Sequence, residues 1–275
     1  MSKSTEKNTK SLFKIGIIGF GTVGRAVVQG FEFLADIKIY DKFYPVDGFE
    51  TVVNESEFIF ICVPTPEGKD GKIDLSAINR AIDKIAKLKS SRGKIVIIKS
   101  TVVPGTTSFY QDKYPHLNIV VNPEFLTART HLLDFINSSR VILGGEKDVC
   151  KKLEKLYRAR MGHVPIFITT PETAELVKYT SNCFFATKIG FFNEICLLCT
   201  KLGVDYGEVK KMVLADGRIG NSHMDVPGHD GKFGWGGACF LKDTKAFYQK
   251  AKEMGVDLKI LRAAIKSNKA IRNLD

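Results

Sequence analysis

The sequence shows no segment approaching the ~20 apolar residues of a membrane span, so no membrane partner is expected. Its first residues, MSKSTEKNTK, are polar and lack the apolar stretch of a secretory signal, so residues 1–12 read as a disordered tail. Nor is there a dense disulfide framework. Cys62, Cys150, Cys183, Cys196, Cys199 and Cys239 are scattered over a long chain, the pattern of reduced thiols in a cytoplasmic protein. No arginine block, zinc-finger spacing or aromatic RNA-binding run accompanies the net charge of +11, so nucleic acid is not the expected partner. None of the five histidines pairs at a ligand spacing, and no metal is expected. Internal repeats are absent.

What is present is an ordinary globular composition, with 44% hydrophobic and 26% charged residues. At 275 residues the chain can form one large domain or two smaller ones. The basic surplus favours an anionic ligand, and phosphorylated small molecules are within that class.

Short apolar runs alternate with helical patterns through the first half. FKIGIIG, IKIYD, FIFICVP, KIVIIKS and NIVVNP read as buried strands, with helical stretches such as DLSAINRAIDKIAKL between them. RVILGG and PIFITT follow, and near residue 170 the strand signals stop. ETAELVKYTSNCFFATKIGFFNEICLLCTKLG then reads as one long helix or two. The expectation is an α/β chain: a doubly wound parallel sheet over 13–170 and a helical domain over 171–275.

Gly19, Gly21 and Gly24 form G-x-G-x-x-G directly after a strand and at the start of a helix that opens with Thr22 and Val23. The first glycine permits a tight turn, the second admits a pyrophosphate to the backbone, and the third allows close helix packing. Asp41 ends the second strand 17 positions beyond Gly24, where a carboxylate can bind the adenosine ribose and repel a 2′-phosphate, favouring NAD. Lys42, next to it, pulls slightly the other way. The competing reading is a glycine-rich turn beside a surface aspartate.

Gly234-Trp235-Gly236-Gly237-Ala238-Cys239-Phe240-Leu241-Lys242-Asp243 is the most unusual segment. Three glycines let backbone approach a ligand, and a thiol near a helix start beside a lysine should ionise readily and act as a nucleophile. Asp243 lies four residues on, toward the same side if the helix begins early enough. A buried structural thiol is the alternative for Cys239, as a lysine lying along the surface is for Lys178 and a solvated loop acid for Glu124. Cys196 and Cys199 sit in an apolar helical run and read as core packing.

Here the chain resembles the UDP-glucose/GDP-mannose dehydrogenase family, whose active cysteine lies in a GFGG-x-C-F-x-K-D context. Val63-Pro64-Thr65-Pro66, Ser100-Thr101-Val102 with Pro104-Gly105-Thr106-Thr107, Asn122-Pro123-Glu124-Phe125-Leu126, and Ala174-Glu175-Leu176-Val177-Lys178-Tyr179 with Ser181-Asn182 resemble the family's motifs in the family's order. The resemblance covers residues 13 to 275. It implies a Rossmann domain, then an all-α central domain like the C-terminal domains of 6-phosphogluconate dehydrogenases. It further implies oxidation of a nucleotide-sugar C6 alcohol, most simply UDP-glucose, to a carboxylate with two NAD per turnover. By the resemblance Cys239 forms a thiohemiacetal and then a thioester, Lys178 and Asn182 stabilise the oxyanion, Asp243 handles the first proton, Glu124 acts later, and Thr101 positions water. Cofactor contacts are implied at Thr65, Thr101 and Lys242 besides the glycine loop and Asp41. Substrate contacts are implied at Glu124, Phe125, Leu126, Lys178, Asn182, Arg218 and Gly236, and a homodimer through the C-terminal helices.

The family pattern usually continues into a third, Rossmann-like domain, and this sequence ends in what resembles the central helix before it, a short form. Only 19 residues separate Asp41 from Ile61, fewer than the family's usual excursion, and Ala128 stands where a glutamate is common. The loop from Arg218 to Cys239 looks long. Two other readings remain at this stage: a dehydrogenase for another hydroxylated anion such as a 3-hydroxyacid, and an NAD-binding protein without turnover. Cys239 argues against the first, because a two-electron oxidation needs no covalent nucleophile. The intact set of Cys239, Lys178, Asn182, Glu124 and Asp243 argues against the second.

Overall fold

A computed structural model of the chain describes residues 12–44, 46–127 and 129–273. The expected N-terminal tail, apart from Leu12, and Ala128 lie outside the described residues. Those described divide into two compact units, 12–65 with 74–178, and 66–73 with 179–273.

The first unit carries seven strands: β1 (Phe13–Ile18), β2 (Ala35–Tyr40), β3 (Phe58–Ile61), β4 (Ile95–Ile98), β5 (Asn118–Val121), β6 (Val141–Gly144) and β7 (Ile166–Thr169). They form one sheet in the order β2-β1-β3-β4-β5-β6-β7. Between them lie α1 (Thr22–Phe31), α2 (Phe49–Glu55), α3 (Ser76–Ala86), α4 (Thr106–Lys113), α5 (His131–Ile136) and α6 (Lys147–Met161). Both sheet faces are covered, which explains the continuous apolar runs. Ile15, Ile17, Phe58, Phe60, Ile95 and Ile97 point into one core cluster, and Ile18, Ile59, Ile61, Val96 and Ile98 into the other. Each such side chain contributes roughly 1.5–3 kcal/mol by leaving water.

The sheet departs from the expected parallel arrangement at one place. β5 pairs antiparallel with β6 at Val121 and Gly144, while the other neighbours are parallel. The last residue of β6, Gly144, meets the last residue of β5, Val121, so β6 approaches from beyond the C-terminal end of β5 and runs back toward it. The strand order reverses between β1 and β3, the place where such sheets bind ligands beyond their strand ends.

The region read as one helix or two is a single helix, α7 (Pro171–Leu202), 32 residues long, which belongs to the first unit through Lys178 and to the second from Tyr179. Among the described residues it alone is long and apolar enough to cross a membrane, with mean hydropathy 1.4 in an 18-residue window. This differs from the expectation of no segment approaching a membrane span, because Lys188, Asn193 and Glu194 break the apolar run while the window average stays apolar. Within the second unit one side of α7 is packed, with Cys183, Ala186, Phe192 and Cys199 buried, while Phe184, Phe191, Leu197, Leu198 and Leu202 are exposed. The same unit holds α8 (Tyr206–Leu214), α9 (Ala238–Glu253) and α10 (Lys259–Arg272). Its short outlying piece, 66–73, is tied to α9 by Lys245–Glu67 at 2.9 Å and Lys72–Glu253 at 2.7 Å.

Candidate functional site

In the first unit the glycine loop has the geometry of a dinucleotide cradle. Gly19 takes a positive φ of 98°, and a Cβ there would sit 2.7 Å from the carbonyl oxygen of Cys62. A Cβ on Gly24 would lie 2.1 Å from the Gly19 carbonyl oxygen, so α1 can start this close to the strand only without a side chain. A Cβ built on Gly21 would meet nothing within 4 Å, so the space beside it is open to a ligand group. The N-terminus of α1, formed by Thr22 and Val23, has no side-chain cap and no acid in its first turn, so its N–H groups and positive end suit a diphosphate.

Asp41 follows β2 and accepts hydrogen bonds from the backbone N–H groups of Phe20 (2.7 Å), Phe43 (2.7 Å) and Tyr44 (3.2 Å). Burial pushes its carboxyl up, but these donors and the Arg25 charge outweigh it and hold the pKa below its ordinary value. A charged Asp41 that still has acceptor capacity suits a ribose hydroxyl and opposes a 2′-phosphate. These residues fit NAD. Thr65 is buried beyond β3, and Ser100 donates to the carbonyl oxygens of Val63 (2.6 Å) and Ile61 (3.2 Å), fixing the chain just before the half-buried Thr101.

A second cluster of the first unit surrounds Glu124. Its carboxylate meets Lys178 at 2.9 Å and accepts the Leu126 N–H at 2.7 Å, so both oxygens are oriented. Both side chains are nearly buried, which excludes the solvated-acid and surface-lysine readings. Burial raises the Glu124 pKa, and the Lys178 and Lys99 charges with the Leu126 N–H reverse this and leave it lowered. Phe125 lies under Arg140, 4.2 Å from guanidinium carbon to ring centre. Beside it Glu124, Phe125, Leu126, Lys99, Arg140 and Tyr157 line part of a pocket of about 270 Å³.

Lys99 was not singled out from the sequence. It is buried at the end of β4 and donates to the Asn122 side-chain oxygen at 2.8 Å and the Pro123 carbonyl at 3.3 Å; burial pulls its pKa down to about 8. Asn122 also accepts from Tyr157 and donates to the Ile142 carbonyl at 2.8 Å, so the turn ahead of Glu124 is set by a buried polar network. Glu175 accepts from Gly105 N (2.7 Å), Thr107 N (2.9 Å) and the Thr107 hydroxyl (2.6 Å), partners that its sequence motif does not reveal. It thereby caps α4 and fixes the stretch after Thr101.

In the second unit Cys239 is the second residue of α9 and is exposed, which excludes the buried-thiol reading. Burial pushes Cys62, Cys150 and Cys183 up to about 12, so none of these three is a ready nucleophile. Cys199 is buried and Cys196 half-buried on α7. One turn beyond Cys239, Asp243 is buried; it accepts from the Asn182 amide at 2.6 Å and pairs with Lys242 at 2.5 Å. Arg218 is exposed in the long loop and paired with Asp216. Gly236 packs against Arg272, whose Nη1 would lie 2.5 Å from a Cβ there. Among the described residues no group of three or more His, Cys, Asp or Glu is arranged to hold a metal.

Comparison with known proteins gives matches in both units. The UDP-glucose/GDP-mannose dehydrogenase family, NAD binding domain, matches residues 34–161, and the same family's central domain matches 172–270. A UDP-glucose 6-dehydrogenase of Rickettsia bellii is 37% identical over 223 residues, 79% of this chain and 50% of the relative. The chain spans about half the length of such relatives. Among solved structures, a UDP-glucose dehydrogenase of Pyrobaculum islandicum superposes with a TM-score of 0.84 at 28% identity, over 96% of this chain and 69% of that one. A UDP-D-ManNAc dehydrogenase of Pyrococcus horikoshii gives 0.80 at 25% identity, over 94% and 69%.

Proposed function

The chain belongs to the UDP-glucose/GDP-mannose dehydrogenase family, with NAD as its cofactor, and from that premise we propose that it oxidises the C6 alcohol of a nucleotide sugar, UDP-glucose foremost, to the carboxylate. The observation that carries the reading is Cys239, exposed at the start of α9 one turn ahead of the buried Asp243–Asn182 pair. Bound NAD supplies the hydride acceptor for each of two oxidations.

In the first, Asp243 takes the alcohol proton through water as the alcohol becomes an aldehyde. The Cys239 thiolate then bonds to the aldehyde carbon, and the oxygen becomes the alkoxide of a thiohemiacetal. Asn182 and Lys178 serve as its donors. Loss of a second hydride leaves a thioester. Water, positioned by Thr101 and deprotonated with the help of Glu124, attacks that carbon and expels the thiolate. Overall one alcohol and one water yield one carboxylate, two hydrides and three protons. Within this reading the pocket at Phe125 and Leu126 receives part of the substrate, and Arg218, Gly236 and Lys242 make further contacts. The protein works in the cytoplasm as a homodimer, whose contact is the exposed apolar side of α7 in the second unit.

The test is NADH formation with a panel of UDP- and GDP-sugars, run with the wild type, Cys239→Ser and Glu124→Gln. A hydroxyl is a far poorer nucleophile than a thiol, so Cys239→Ser should lose at least ~10³-fold in turnover, about 4 kcal/mol of barrier. Glu124→Gln should accumulate a thioester on Cys239, visible by intact mass. Carboxylate production by Cys239→Ser at near the wild-type rate would refute the covalent route.

A further inference from the structure

We propose that Arg272 and Asn268, on the last turns of α10, are positioning residues for Cys239, holding the glycine-rich turn that leads into α9 by its backbone. The inference rests on the reading of Cys239 as the nucleophile, and all the groups involved lie in the second unit.

Side chains, in place of a sheet or helix ladder, supply the hydrogen bonds of this turn. Asn268 is buried; its side-chain oxygen accepts the Trp235 N–H at 2.8 Å and its amide donates to the Trp235 carbonyl at 3.0 Å. One side chain thus satisfies both backbone groups of one residue. Gly234 N–H donates to the Asn193 side-chain oxygen at 2.7 Å, and the Gly234 carbonyl accepts from Arg272 Nη2 at 2.8 Å. Arg272 Nη1 meets Asp230 at 2.8 Å, so one guanidinium joins the start of the turn to its middle. The Trp235 ring, buried, rests over Gly190 of α7, where a Cβ would be 3.2 Å from the ring.

The glycines follow from this clamp. Gly234 has φ +70°, and a Cβ on it would sit 2.4 Å from the Asn268 side-chain oxygen; one on Gly236 would sit 2.5 Å from Arg272 Nη1 and 2.9 Å from its central carbon. Both positions therefore need a hydrogen for the clamp itself, whatever a ligand requires. Gly237, at φ +77°, then caps α9, and Cys239 stands two residues later. A backbone hydrogen-bonded at two consecutive residues, Gly234 and Trp235, constrains where α9 begins and the direction of its first-turn thiol.

The Arg272 hydrogen bond holds the Asp230 carboxyl well down, to about 2, so Asp230 remains an acceptor for the guanidinium through the working range. A pH profile of thiol reactivity therefore reports on the surroundings of Cys239 and not on loss of the clamp.

The experiment is the rate of Cys239 alkylation by iodoacetamide across pH, followed by peptide mass mapping, in wild type, Arg272→Lys, Arg272→Met and Asn268→Ala, with Cys239→Ala as the blank. Arg272→Met and Asn268→Ala should change the rate by about threefold or more and move its pH midpoint. Arg272→Lys, able to keep one of the two contacts, should fall between. With an active sugar nucleotide, kcat of the first two variants should drop by about tenfold to a hundredfold while NAD affinity is retained, because a small misplacement of a reacting group is costly. A variant that loses thermal stability yet keeps the alkylation rate and midpoint of the wild type would overturn the proposal.

Amide exchange in the wild type needs no variant. Gly234 and Trp235 N–H groups should be protected relative to exposed loop amides, and exchange as fast as those would also overturn it. A wild type that oxidises no sugar nucleotide, but whose variants change Cys239 reactivity, would refute the proposed function and leave the clamp standing.

Discussion

Replacing Lys178 by methionine keeps most of the side-chain volume and removes one charge of a buried pair. The wild-type contact is 2.9 Å, with 5% of the lysine and 10% of the glutamate side chain exposed. Removing one partner of such a pair costs about 3–5 kcal/mol, because the other charge is left in a poor solvent. The Leu126 N–H and the Lys99 charge still support Glu124, which places Lys178→Met near the lower end, about 3 kcal/mol. Glu124→Gln leaves Lys178 and Lys99 without their shared carboxylate and should cost a similar amount. The double variant buries neither Glu124 nor Lys178 as an ion, so its cost should fall short of the sum by about 1–3 kcal/mol.

The dependence on pH has a definite direction. In the wild type the folded-state pKa of Glu124 is lowered, so its contribution is present above the ordinary carboxylate range and lost as pH falls through the folded value. In Lys178→Met burial is no longer offset by the paired charge, the pKa moves up, and stability is lost as pH rises through it. The variant's deficit should therefore be larger near pH 8 than near pH 5. The only tryptophan, Trp235, lies in the second unit, so its fluorescence does not follow this site. Amide exchange at β4 and β5 does. Additivity within ~0.5 kcal/mol, or equal deficits at both pH values, would refute the reasoning.

Much of this was legible because it is local. Strands buried on both faces leave apolar runs such as FIFI and IVII, and the cradle of Gly19, Gly21 and Gly24 is contained in six residues. What escaped depends on partners distant in sequence. Lys99 reads as the polar end of a strand, and only the fold brings it to Asn122. Glu175 meets Gly105 and Thr107, some 70 positions away. The direction of β6 is hidden in the sequence because VILG reads alike both ways, and only its pairing with Val121 of β5 shows it. The stretch that reads as one long helix or two is the single helix α7, and at Gly190 within it the missing side chain accommodates Trp235. Gly234 and Gly236 read as letting backbone approach a ligand, and what the sequence does not show is that the protein groups nearest them come from α10.

Glu175 offers a second linkage test: burial lifts its pKa to about 6 against the opposing Thr107 and Gly105 bonds, so its contribution is full below its ordinary value and fades as pH rises through about 6. The stability difference between wild type and Glu175→Gln should shrink by about 1–2 kcal/mol from pH 4.5 to pH 7, and a flat difference would reject that linkage. The last prediction concerns the homodimer. A homodimer through the C-terminal helices is expected to cover Leu258, Ile260, Leu261 and Ile265, of which only Ile260 is exposed, while Leu261 is buried. On α7, by contrast, Phe184, Phe191 and Leu198 recur every seven residues, so they share one side of the helix, and all three are exposed. Covering each is worth roughly 1.5–3 kcal/mol, and two copies would cover six. Light scattering should find a dimer at micromolar concentration, and Phe191→Glu, which would place a charge at the centre of that contact, should give a folded monomer. A monomeric wild type, or a Phe191→Glu variant that stays dimeric, would show that this side of α7 is not the contact.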